Sequence, residues 1–154
     1  MRIALVTVAV VAAAASVAAQ GRGLSDEDKR EILAFQLTLP KANEIITAMS
    51  EMTKYVASRP DVVEVMQRSA KMTHRELIAQ MEKDPKAMAI AMRHGLSAHD
   101  YNYGVLALRM ALLTAEGSGG PSVVASPANV AFAKVNLAEL KPKMDAADGV
   151  RTRR

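Results

Sequence analysis

Residues 97–113, SAHDYNYGVLALRMALL, decide the fold. Ser97 and Asp100 stand at the spacing by which a side-chain oxygen accepts an orphan backbone N–H and opens a helix. Tyr101, Val105, Leu108 and Leu112 follow at alternating steps of four and three, which trace one face of a 3.6-residue helix. Leu106 and Leu113 widen that face. A stripe this broad needs neighbours on several sides, so the segment belongs at the middle of a helical bundle. Gly117 closes it.

The same grammar repeats on either side. Ser25 and Asp28 open a short helix running through Phe35, with Asp26, Glu27 and Asp28 suited to the positive end of its dipole. Thr38 caps a second helix, with Pro40 tolerated in the first turn, whose stripe is Ile45, Met49, Met52 and Val56; Arg59-Pro60 ends it. From Asp61, one face carries Val62, Val65, Met66, Ser69 and Met72. Thr73 and Glu76 repeat the capping spacing and predict a break near Met72. Asp84-Pro85 restarts the chain into a helix that stops at Gly95. Residues 117–126 (GSGGPSVVAS) are a linker by composition. Ser126-Pro127 then begins a last helix with Val130, Ala133, Leu137, Leu140 and Met144 in register, and Pro142 predicts a kink or frayed end. No strand-type alternation persists beyond the leader. The expectation is an all-α bundle of four or five helices: an N-terminal arm over 20–37, the bundle over 38–147, and a disordered basic tail over 148–154.

Composition agrees. Half the chain is hydrophobic, yet only five residues are aromatic and none is Trp; Ala, Leu, Val and ten Met supply the apolar content. Ala, Leu and Met favour helix, whereas a β-domain draws on β-branched and aromatic residues. A net charge of +4 spread along 154 residues lacks the dense basic stripe and stacking aromatics of a nucleic-acid binder.

The first nineteen residues belong to another class. Arg2 precedes an apolar and small-residue run from Ile3 to Ala19, and Ser16-Val17-Ala18 supplies small residues for cleavage near Ala18–Gln20. That is the layout of a secretory signal, and it predicts a periplasmic or extracellular mature protein. Seventeen residues, eight of them Ala, make a short membrane span beside the roughly 20 that crossing needs, so contact with the bilayer is expected only if this leader is retained. The absence of cysteine removes disulfides, an N-terminal lipid anchor and covalent c-type haem together.

Three local signatures can be compared with known proteins: Leu37-Thr38 leading to Lys41, the stretch GLSAHDY over Gly95–Tyr101, and Asn129-Val130-Ala131-Phe132 after the linker. Piecewise over residues 37–140, these resemble an unnamed group of small exported bacterial helical proteins of unknown function. The resemblance implies the fold and export, and implies no catalytic residue. Where that pattern carries Arg, an acidic residue and Tyr, this chain has His99-Asp100-Tyr101.

Candidate chemistry is sparse. His74 lies on an apolar face beside Met81, and Met88 and Met92 share a face at i, i+4; His74, Met81, Met88 and Met92 are the set that suits copper(I) or a non-covalent haem. Against this, Met72/His74 and Met92/His94 stand at i, i+2, which points them to different sides of a helix, and Met at helical spacing also reads as core. Core packing is the expectation. A hydrolase would need a cleft gathering His74, His94 or His99 with a carboxylate and an activated nucleophile, and no G-x-S-x-G elbow is present. Neither a catalytic constellation nor a cofactor is therefore expected. The sequence points to an exported binding or scaffold protein that acts through contacts with a partner protein or with itself; the alternative is a carrier of haem, copper or a small apolar ligand.

Overall fold

A computed structural model describes residues 23–149; the leader expected over 1–19 and residues 150–154 of the tail lie outside them. The described residues form seven helices and no strand: α1 Asp26–Ala34, α2 Leu39–Ala57, α3 Val62–Ser69, α4 His74–Glu82, α5 Pro85–Arg93, α6 Ala98–Ala115 and α7 Pro127–Ala147. The all-α class is as expected. The number exceeds four or five because residues 61–94 divide into three short helices, and the divisions fall at Thr73 and Asp84.

Those divisions are local chemistry. Thr73 accepts the Glu76 N–H while the Glu76 carboxylate takes the Thr73 N–H, a complete capping box that Ser25 and Asp28 also form. Ser97, Thr38, Ser126 and Asp84 cap α6, α2, α7 and α5 in the same way from their side chains. Each such cap is worth about 1 kcal/mol. Gly95 and Gly117 follow α5 and α6 with φ of 67° and 75°, the left-handed turn that ends a helix and that a Cβ resists.

α6 is the axis. It packs against α7, α2, α1, α4 and α5, and nine of its residues are buried, including Tyr103, Leu106 and Leu108. Ile45, Met49, Leu112, Leu140 and Met144 join one apolar core around it; Ile32 of α1 joins Tyr103, Leu106 and Ala107 in a second. By contrast, α3 packs extensively against no other helix, and Val65 is its one buried residue.

The frayed end expected at Pro142 is not found: α7 continues through it to Ala147. Pro142 and Ala138 are both exposed, so the Ala138 carbonyl that loses its partner to the proline can bond water. Buried Met144 and Ala147, with the Lys143–Glu139 ion pair at 2.7 Å, hold the turn beyond it. Asp148, expected in the tail, is the α7 C-cap and pairs with Arg109 at 2.5 Å.

Candidate ligand cavity

Two hollows meet at His74. The first is a cavity of about 210 Å³ whose apolar wall is Met49, Met52, Val65, Met66, Leu77 and Val105, from α2, α3, α4 and α6. Its polar end is Tyr101, Arg109 and Asp148. Arg109 and Asp148 side chains are 16% and 18% exposed, so their ion pair is largely shielded from water. Burial raises the Asp148 carboxyl pKa above the ordinary range, against the pull of Arg109. Burial likewise raises Tyr101, so its hydroxyl stays protonated at neutral pH; the Arg109 charge opposes that rise and Asp148 adds to it.

The second hollow, about 490 Å³, is a polar cleft between α1, α4 and α6, lined by Glu27, Asp28, Glu31, His74, His99 and Tyr103 among others. The Tyr103 hydroxyl donates to Asp28 at 2.8 Å. The Tyr103 ring is close to two imidazoles, 6.0 Å from His74 and 4.7 Å from His99, measured between centroids. His99 Nε2 stands 3.2 Å from Glu31. Burial lowers the His74 pKa, with the Asp28 carboxylate pulling the other way, so His74 is neutral at pH 7.

The structure thus brings His74 and His99 to one cleft with carboxylates and leaves His94 on the α5–α2 contact, where Glu44 and Glu51 hold it. A histidine-activated nucleophile is not assembled there. The two hydroxyls lining the cleft besides Tyr103 are spent on caps: Ser25 Oγ donates to Asp28 at 2.7 Å and Thr73 Oγ1 to Glu76 at 2.9 Å.

The residues singled out for copper or haem disperse. His74 lines both hollows, whereas Met81, Met88 and Met92 line neither. Met81 is core, with its sulfur 3.4 Å from Asn102 Nδ2; Met88 packs against the same core; Met92 is 67% exposed. Among the described residues no three His, Asp or Glu side chains are placed to hold a metal ion. The methionines that do share a cavity with His74 are Met49, Met52 and Met66. Their spacing gave no sign of it, because a thioether facing a cavity and one facing the core occupy the same helical register.

The chain matches no protein-family model, and neither curated proteins nor solved structures show significant similarity to it.

Proposed function

We propose that this chain is an exported, non-catalytic binding protein whose 210 Å³ cavity takes one small apolar ligand. The observation that carries the reading is the cavity itself. It is larger than the ~150 Å³ that admits a benzene ring, and smaller than the ~300 Å³ at which drug-sized pockets begin. A single ring or a short aliphatic chain fits; a haem macrocycle does not. Three methionines in the wall adapt to ligand shape. The wall most easily displaced for entry is α3, anchored by Val65 alone. Export rests on the basic, apolar and small-residue order of residues 1–19. Docking of a protein partner or a second copy would draw on exposed Leu33, Val63, Met92 and Val135, which fall on four different helices. The cavity gathers its apolar wall in one place.

Calorimetric titration of the purified protein with ethylbenzene tests this. One saturable site per chain is expected, together with a rise in melting temperature at saturating ligand. Ser69→Phe, which fills the cavity from α3, is expected to abolish the heat signal while circular dichroism stays helical. Absence of stoichiometric binding, or binding unaffected in a folded Ser69→Phe protein, overturns the proposal.

A further inference from the structure

Granted that the cavity binds a ligand, its polar end narrows what that ligand is. Tyr101 makes no side-chain hydrogen bond to any described residue, although every other tyrosine has one: Tyr55 with Asp84 and Tyr103 with Asp28. Among the described residues the one sealed-off side-chain polar atom lacking a partner is Gln80 Oε1. The Tyr101 hydroxyl therefore has no protein partner yet is still reachable by a water-sized molecule, and Tyr101 lines the cavity. Water can satisfy that hydroxyl in the free protein, so a ligand that displaces the water must return an acceptor or leave the phenol unpaired.

The charges beside it argue against an ionic ligand. Arg109 and Asp148 neutralise each other, and His74 is uncharged. A carboxylate entering this end would have to displace Asp148 from Arg109 or remain buried without a counter-charge, and both are costly.

We infer that the cavity selects an uncharged, single-ring-sized molecule bearing one hydrogen-bond acceptor, a carbonyl above all, which accepts the Tyr101 hydroxyl. This rests on the binding reading above, and the test separates the two. Acetophenone, ethylbenzene and benzoate are close in size and differ in the group offered to Tyr101. Each is titrated into the wild-type protein and into Tyr101→Phe. The expected result is a loss of acetophenone affinity in Tyr101→Phe of about five-fold, the worth of one hydrogen bond, with ethylbenzene affinity unchanged and benzoate at least ten-fold weaker than acetophenone in the wild type. Ethylbenzene binding to Tyr101→Phe also certifies that its cavity is intact. Equal acetophenone affinity in the two proteins, or benzoate as the tightest ligand, overturns the inference and leaves the apolar cavity standing. Failure of all three ligands to bind the wild type overturns both.

Discussion

Asn129, in the first turn of α7, accepts the backbone N–H of Leu37 at 3.1 Å across 92 residues of sequence. Its amide nitrogen donates to the Phe35 carbonyl at 2.7 Å. Both backbone groups lie in the connection between α1 and α2, which leaves them no helical partner, and Asn129 itself is 3% exposed. The side chain replaces the hydrogen bonds that the connection loses. Asn129→Ala orphans one buried donor and one part-buried acceptor, at ~1–3 kcal/mol for a buried group, so a loss of about 2–3 kcal/mol is expected from urea midpoints. Asn129→Asp keeps the acceptor for Leu37 but turns a second oxygen on the Phe35 carbonyl. It should be nearly as unstable at neutral pH and recover partly in acid, where the protonated carboxyl can donate.

Gly104 stands where α6 packs against α2. A Cβ built there meets Ile45 Cδ1 at 2.8 Å and Phe35 Cζ at 2.9 Å. In an open helix Gly→Ala gains about 1 kcal/mol. Here Ile45 is completely buried and cannot retreat, so overpacking of ~1–3 kcal/mol opposes the gain. Gly104→Ala is expected to lower stability by about 1 kcal/mol net. Adding Ile45→Val, which removes the Cδ1 atom, should recover part of that loss, so that the two changes together cost less than their sum. A strictly additive double-mutant cycle would show that the contact is not the cause.

His94 and His74 give opposite dependences on pH. His94 Nδ1 lies 2.7 Å from Glu44 and Nε2 3.1 Å from Glu51, and both ring nitrogens can donate to these carboxylates only in the imidazolium. Burial disfavours that charge, but the hydrogen bonds with Glu44 and Glu51 outweigh it and raise the pKa. The stabilisation is therefore complete below the unfolded value of about 6.5 and is lost as pH rises through the higher folded value. For His74, burial lowers the pKa. Its neutral form is the one the fold accepts, and stability drains away as pH falls through about 6.5 toward the lower folded value. Urea midpoints between pH 5 and 8 check both. The advantage of wild type over His94→Gln should shrink toward pH 8, and that over His74→Gln should shrink toward pH 5. Parallel trends in the two variants would refute the assignment.

The division between what the sequence disclosed and what it did not follows interaction range. Helix starts at Ser25, Thr38, Thr73, Asp84, Ser97 and Ser126 were readable because a cap is a bond between residues two or three apart. The central place of α6 was readable from the width of its stripe. The end beyond Pro142 does not fray because Ala138 and Pro142 face solvent, which depends on which face of α7 meets the core. At the candidate site, His74, which the sequence offers as a copper or haem ligand, lines both hollows. Its neighbours there were not readable, since Met49, Met66 and Tyr101 come together only when α2, α3 and α6 pack. Nothing in HDY over residues 99–101 distinguishes a tyrosine with a partner from one without. That distinction lies in how Tyr101 sits near Arg109 of its own helix and Asp148 at the end of α7.

Asp84 shows how a residue legible as a cap takes on a second role through the fold. Its Oδ1 accepts the Lys86 and Ala87 N–H groups at 3.0 and 3.2 Å, starting α5. Its Oδ2 accepts the Tyr55 hydroxyl at 2.8 Å, from the last turn of α2, and Arg59 Nη1 at 2.9 Å, from just beyond that helix. Arg59 is itself held against Asp61 by two bonds of 2.9 and 3.0 Å. One carboxylate thus opens α5 and fastens it to the turn between α2 and α3. Ser97→Ala, which removes a cap and nothing else of that kind, should cost about 1 kcal/mol. Asp84→Ala removes a cap and also leaves Tyr55 and Arg59 without their acceptor, so about 2–3 kcal/mol is expected. Asp84→Asn retains the cap oxygen and should fall between them. The Asp84 pKa supplies a second check. Burial pushes it up, but the Ala87 N–H, the Tyr55 hydroxyl, the Lys86 N–H and the Arg59 charge together hold it below the ordinary carboxylate range. Its contribution is therefore intact above about pH 4 and lost as pH falls through the lower folded value. In acid, the gap between wild type and Asp84→Asn should close, and a gap that persists at pH 2 would mean that the charge on Asp84 is not what joins the helices.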